Sequence, residues 1–269
     1  MSLAEPAQRS AEWIELLEPP MADERFSFEE LLARYNYPLR ADNKRLFTRL
    51  IHDECARREH PVRVLDIGCG QGFSRQPGFQ RVIRGFADEY VGIEPDASVE
   101  PAAGVFDSVE HAVLEASALP DASIDVAYSF WVMEHVEDPT RFFRAIERVL
   151  KPGGTYLFVT LNLHHWFARL SQLADLTGME DFLLRTFGGT PVESHYETFY
   201  RANSRRSIET AAREAGLSTP DIAYLEVFNA AQGYMGGPLR PFWYLFQIPR
   251  RIFHRPESLG TLFVRVRKD

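Results

Sequence analysis

Three glycines at alternating positions, Gly68, Gly70 and Gly72, follow the apolar run Val64-Leu65-Asp66-Ile67, and Asp66 stands just ahead of them. About twenty residues on, a second run, Tyr90-Val91-Gly92-Ile93, stops on Glu94. Two buried parallel strands with their carboxyl ends at one crevice would give this pattern. The first offers bare backbone for a charged ligand, and the second offers a carboxylate that can accept from both hydroxyls of a ribose. Together they point to an adenosine-containing cofactor. The G-x-G-x-x-G spacing that seats a pyrophosphate is missing, because position 73 is Phe, and no Lys-Ser/Thr follows as a triphosphate loop requires. Taken alone, the triplet also fits a plain tight turn in an α/β protein.

Further segments appear in a fixed order. Glu115-Ala116-Ser117-Ala118-Leu119-Pro120 is followed by a turn and the strand Ile124–Phe130. Trp131-Val132-Met133-Glu134-His135-Val136 comes next, and Val149-Leu150-Lys151-Pro152-Gly153-Gly154 precedes a fifth strand at 156–160. With the glycine triplet as motif I, this series resembles the class I S-adenosylmethionine-dependent methyltransferases, in the small-molecule branch that includes quinone-pathway and natural-product enzymes. The resemblance covers residues 62 to 160 and implies S-adenosyl-L-methionine as cofactor and S-adenosyl-L-homocysteine as product. It implies that Glu94 holds the ribose hydroxyls and that Gly68, Cys69, Gly70 and Gly72 admit the methionine portion. Asp66 would order the turn and the cofactor's amino group. Ala116 would donate its backbone N–H to adenine, Glu115 would accept from the exocyclic amine, and Ser117 would line the same edge. Ser129 would present its carbonyl, with Phe130 beside it. Pro95, after Glu94, is a cofactor neighbour that reads more simply as part of a turn.

These residues need a framework. The resemblance implies an α/β fold: a Rossmann-like seven-stranded mixed sheet, last strand antiparallel, flanked by helices and carrying helical cap insertions. Residues 1–60 read as a helical arm, from the spacing of Phe28, Leu31, Leu32 and Tyr35 and of Leu46, Leu50, Ile51 and Cys55. The methyltransferase domain would then be 61–269. Pro77-Gly78 interrupts the segment after the triplet, so 73–76 reads as an extended loop and the next helix starts near Pro77. Residues 102–107 offer a short, poor third strand. Asp138-Pro139 opens a helix cleanly, Gly216 closes one over 204–215, and strands are expected at 222–228 and 262–267. Two insertions, 161–203 and 229–259, leave from carboxyl ends of strands and are rich in aromatics, as caps over a partly apolar acceptor would be.

The acceptor side is less constrained. Two readings stand for His135, a satisfied structural histidine and a base; His195, in the first cap, is the preferred base. Tyr35, Tyr37, Trp131, Trp166, Tyr200 and Tyr234 are candidate acceptor contacts, and Glu134 reads as a solvated or orienting charge. His164-His165 lacks a partner at ligand spacing, so no metal is expected. The chain has 269 residues, a net charge of −8 and two cysteines, which disfavour nucleic-acid binding and a disulfide framework. Lacking a signal peptide or a spanning run, it is expected in the cytoplasm. The basic, aromatic stretch from Arg240 reads as a packed cap helix, with contact to a membrane surface as the alternative. The expected reaction is methyl transfer to a small or lipid-linked organic acceptor, O-methylation ahead of C- or N-methylation. The alternatives are an NAD-dependent oxidoreductase or epimerase and a non-catalytic S-adenosylmethionine-binding protein.

Overall fold

Strand alternation in this chain splits the core in two. In β1 (Arg63–Ile67), Val64 faces one layer of helices while Leu65 and Ile67 face the other, and all three are buried. A parallel strand covered on both faces has this character. The computed structural model describes residues 27–33, 43–59, 61–73, 75–165, 197–225 and 256–269. Within them the remaining strands are β2 (Glu89–Ile93), β3 (Ser108–Glu110), β4 (Ile124–Phe130), β5 (Leu150–Leu161), β6 (Asp221–Leu225) and β7 (Thr261–Arg267). They form one seven-stranded sheet in the order β3-β2-β1-β4-β5-β7-β6. β1 to β5 pair in parallel, and β7 inserts antiparallel between β5 and β6. The order reverses between β1 and β4, which is where open α/β sheets form their ligand crevice.

One face carries α1 (Phe28–Ala33), α2 (Asn43–Ala56) and α3 (Gly78–Arg84). Leu46, Phe47, Leu50, Ile51 and Cys55 of α2 are buried against Tyr128, Val159 and Phe263 of the sheet. Arg265 of β7, almost fully buried, fastens this layer. It pairs with Glu54 at 3.0 Å, Glu29 at 2.7 Å and Asp221 at 2.7 Å, and its guanidinium lies 4.8 Å from the Phe28 ring centroid. A buried cation held by three carboxylates and an aromatic face has its desolvation offset, whereas removing one partner would leave charge stranded. The other face carries α4 (Pro139–Val149) and α5 (Arg205–Glu214), through Phe142, Phe143, Ile146, Ile208, Ala211 and Ala212.

Local chemistry sets the helix ends. Asp138 caps α4 by accepting from the Arg141 N–H, with Pro139 in the first turn where no donor is needed. Ser204 and Ser207 form a reciprocal capping box on α5, and Gly216 follows its end at φ +79°. α3 starts at Gly78 with Pro77 as its N-cap, as the proline position predicts.

The third strand departs from expectation. Residues 102–107 make a turn, not a strand, and β3 lies just beyond them. Asp107 supplies the reason: its carboxylate accepts from the Tyr90 N–H at 2.7 Å while its own N–H donates to Tyr90 O at 2.8 Å. Pairing with β2 therefore begins only after the aspartate has capped that strand's edge. Among the described residues, no helix is long and apolar enough to cross a membrane.

Candidate active site

The glycine bend sits at the carboxyl end of β1. Gly68, Gly70 and Gly72 take φ of +70°, +36° and +94°, a region that side-chain-bearing residues rarely enter. Two of the three also lack room for a side chain. A Cβ on Gly68 would stand 2.6 Å from Val132 Cγ2, and one on Gly72 would stand 2.7 Å from the Pro77 backbone.

Glu94, one residue past β2, turns its side chain into this bend. It is 4% exposed, and its Oε2 accepts from the Gly70 N–H at 2.9 Å while Oε1 accepts from the Asp96 N–H at 3.1 Å. Each oxygen has a second lone pair, so the carboxylate can hold the loop and still receive a ribose diol. Pro95 is exposed in the turn that Asp96 and Val99 close. Cys69 points away from the crevice: its Sγ fills the space where Gly92 would carry a Cβ, 2.8 Å away. Only its backbone can serve a ligand.

Asp66 lies beneath the bend, 2% exposed. Its Oδ2 accepts from Gln80 Nε2 at 2.7 Å and from the Tyr128 hydroxyl at 2.7 Å, with Tyr90 at 3.3 Å and in close contact with Tyr128. Burial pushes the carboxyl up to about 6, against the pull of those donors. Gln80, Tyr90 and Tyr128 are functional neighbours that sequence reading passed over. The available signal was polar tips on tyrosines inside otherwise apolar buried strands.

Along the edge expected to receive adenine, Leu114–Ala116 form a 3-10 turn. The Ala116 N–H donates to Val113 O at 3.0 Å, so the expected adenine donor is already engaged within that turn, as is the Ser117 N–H with Leu114 O. Glu115 is partly exposed beside them. Ser129 sits at the end of β4 with its side chain turned to the opposite face, where Oγ meets the Tyr156 hydroxyl at 2.7 Å. Phe130 stacks on Phe73 with ring centroids 4.6 Å apart and an interplanar angle of 12°. Phe47 packs against both rings. Phe73, the first residue after the glycines, is thus folded into an aromatic cluster at the sheet edge.

Two backbones adjoin at the carboxyl edge beyond β4. Glu134 O accepts from the N–H groups of Phe199 and Tyr200 at 2.8 and 3.1 Å, and His135 Nδ1 lies 2.9 Å from Glu197 O. Trp131, His135 and Tyr200 are thereby brought to neighbouring loops, and Trp131 and Tyr200 hold φ of +58° and +53°. Strain at two non-glycine residues persists only where the surroundings fix them.

Glu134 corrects an expectation. It is not a solvated charge but 8% exposed, with Oε2 accepting from the Thr160 hydroxyl at 3.2 Å. Asn203 Nδ2 in turn donates to Thr160 Oγ1 at 2.6 Å. Few donors reach the carboxyl, so burial pushes it up to about 7. His195, Tyr35, Tyr37, Trp166 and Tyr234 lie outside the described residues, as does the basic, aromatic stretch from Arg240 to Arg255. Among the described residues, no group of three or more His, Cys, Asp or Glu could hold a metal ion.

A loop of bare backbone, a buried carboxylate bonded to it and a strand-order reversal fit a nucleoside cofactor. Residues 35–219 match the family described as Methyltransferase domain. The chain belongs to that family. S-adenosyl-L-methionine is therefore its cofactor and S-adenosyl-L-homocysteine its product, and the oxidoreductase alternative is set aside. A probable S-adenosylmethionine-dependent methyltransferase of Mycolicibacterium smegmatis is 36% identical over 134 residues, covering 49% of this chain and 48% of that protein. A ubiquinone biosynthesis O-methyltransferase of Paraburkholderia phymatum is 34% identical over 166 residues, covering 60% of this chain and 66% of that protein. These matches span only about half to two-thirds of the relatives' length. A SAM-dependent methyltransferase from Archaeoglobus fulgidus shares the fold, with a TM-score of 0.52 at 14% identity over 84% of this chain and 95% of that one.

Proposed function

We propose that this methyltransferase acts on a hydroxyl group of a small or lipid-linked organic acceptor, with His135 as the base. The bound cofactor supplies an electrophilic methyl group on a sulfonium. A neutral hydroxyl attacking it must lose a proton as the carbon–oxygen bond forms, so a positioned base is needed. The contact between His135 Nδ1 and the Glu197 carbonyl carries the reading. A carbonyl can only accept, so Nδ1 donates to it and, in the neutral ring, Nε2 is the basic nitrogen. His135 is half-buried at the sheet's carboxyl edge, four residues after Trp131 with its strained backbone. Trp131 and Tyr200 would wall the acceptor and hold its hydroxyl in line, since displacement at a methyl carbon depends chiefly on positioning. Support for oxygen as the methylated atom comes from the relative named as a ubiquinone biosynthesis O-methyltransferase.

In this reading Glu94 grips the ribose and Gly68 to Gly72 admit the methionine portion. Asp66 acts from below the loop. Adenine is received along the edge formed by Glu115, Ala116 and Ser117, with contact by side chain or carbonyl where the Ala116 N–H is engaged. The test is incubation of the protein and methyl-labelled cofactor with a panel of phenols and catechols, each with and without a prenyl tail. The expected product is a labelled methyl ether. Label appearing only on nitrogen or carbon would remove the hydroxyl acceptor.

A further inference from the structure

Gln80 stands one turn into α3, 1% exposed, and is the α3 side chain hydrogen-bonded to both Asp66 and the glycine bend among the described residues. Its Nε2 sends one hydrogen to Asp66 Oδ2 at 2.7 Å and the other to Cys69 O at 2.6 Å. The carbonyl and the ionised carboxylate only accept, so the amide orientation is dictated by its partners. Cys69 O also receives the Gly72 N–H at 3.2 Å, so the Gln80 bond completes that carbonyl. Meanwhile Gln80 Oε1 is buried with no hydrogen-bond partner. An unmet buried acceptor is unfavourable for folding, so the site is not arranged for stability alone.

The need for such a clamp follows from the sequence. The expected extended loop is instead a pair of tight turns, with the Arg75 N–H on Gly72 O and the Gln76 N–H on Phe73 O, both at 3.1 Å; Phe73 enters the aromatic cluster, and α3 begins only at Gly78. The bend is therefore not continued directly into a helix, and the first N–H groups of α3 are displaced from it by several residues. A side-chain amide reaching back from α3 supplies the tie.

We propose that Gln80 is the positioning residue of the cofactor loop. It couples the Cys69 carbonyl to the Asp66 carboxylate and so holds Gly68 to Gly72 open for the methionine portion of the cofactor. The proposal rests on the reading of that bend as the cofactor cradle. The groups facing Asp66 are Tyr90 from β2, Tyr128 from β4, Gln80 from α3, and Cys69 and Glu94 at the loop. Among the described residues, Gln80 is the side-chain amide in this set.

The test is calorimetric titration of S-adenosyl-L-homocysteine into the full chain and its Gln80→Leu and Gln80→Glu variants, with Glu94→Ala as a control on the cradle itself. Gln80→Leu keeps the bulk and removes both bonds; its affinity is expected to fall about tenfold. Gln80→Glu is expected to match that loss at about pH 8.5, where three acceptors face one another, and to recover toward the wild type by about pH 5.5, where the carboxyls at position 80 and Asp66 hold a proton that can bond them. A purely structural role would not give affinity that returns with a proton. Gln80→Leu binding like the wild type, or a Gln80→Glu to wild-type affinity ratio that does not change with pH, would overturn the proposal; the second measurement decides if Gln80→Leu fails to fold. Weakening by Glu94→Ala alone, with both Gln80 variants normal, would leave the cradle standing and remove Gln80 from it.

Discussion

Two buried carboxyl groups flank the strand-order reversal, and they are held in opposite ways. Asp66, beneath the glycine bend, draws on three side-chain donors, and burial lifts it to about 6. Glu134, in the loop after β4, draws on one hydroxyl and its own backbone, and burial lifts it to about 7 from an ordinary value of 4.5. Each is lifted by a similar margin above its ordinary value, so the two differ in how their partners are placed and not in how far burial moves them. The cofactor half is thus a polar network whose members sit on strands and a helix, with one acceptor, Gln80 Oε1, left over. On the acceptor half, the loop after β4 is tied to the segment returning from the first insertion by a short relay, and two aromatics there hold strained backbone. Rigid placement suits an invariant cofactor. A site built on adjoining loops suits an acceptor that differs from one enzyme to another.

Substitutions can break that division. The largest effect is expected on the acceptor side: His135→Gln should slow turnover roughly 10²- to 10⁴-fold, the range of a positioned base, at saturating cofactor and acceptor. Single-turnover transfer of labelled methyl would show it, and near-normal rates would free His135 from the role.

Glu134→Gln probes the same half through stability. The folded carboxyl binds its proton more tightly than the unfolded one. Ionising it therefore costs nothing below about pH 4.5, and the penalty grows as pH rises through about 7, reaching about 3 kcal/mol beyond it. The neutral amide escapes that penalty. Thermal melts should show the variant gaining on the wild type at pH near 8 and converging with it near pH 4.5. A constant difference across pH would mean the carboxyl is already hydrated.

A smaller loss should follow from Gly72→Ala, whose Cβ would meet the Pro77 backbone at 2.7 Å in a positive-φ conformation. About 2 kcal/mol of destabilisation is expected, on the scale of comparable backbone strain, read as a lowered denaturant midpoint with unchanged slope.

The sequence made the cofactor half legible because its signals are local. Alternate glycines demand positive φ, and an apolar run ending on an acid demands a buried strand with a polar edge. The Asp138 cap and the Gly216 stop were equally local, and both stand as read. What escaped depends on register and burial. Tyr128 meets Asp66 across 62 residues of chain only because β1 and β4 align those positions, and Gln80 reads as an ordinary helix residue until α3 is packed. Glu134 read as a solvated or orienting charge because its residue type is charged, yet the returning segment at 197–203 covers it. β3 shifted past Asp107 for a similar reason, a capping bond to Tyr90 that no spacing rule reveals. Ala116 matched the family's pattern, but the turn it lies in claims its N–H.

In this account Glu94 both shapes the glycine bend and takes the ribose, so that cofactor affinity resides in the segments after β1, β2 and β3 and not in the loops after β4. Side-by-side titration of S-adenosyl-L-homocysteine into Glu94→Ala and His135→Gln tests it directly. With charged hydrogen bonds lost in the first variant only, affinity should fall about 100-fold for Glu94→Ala and stay within about twofold for His135→Gln. Wild-type affinity in Glu94→Ala, or an equal loss in both variants, would contradict it.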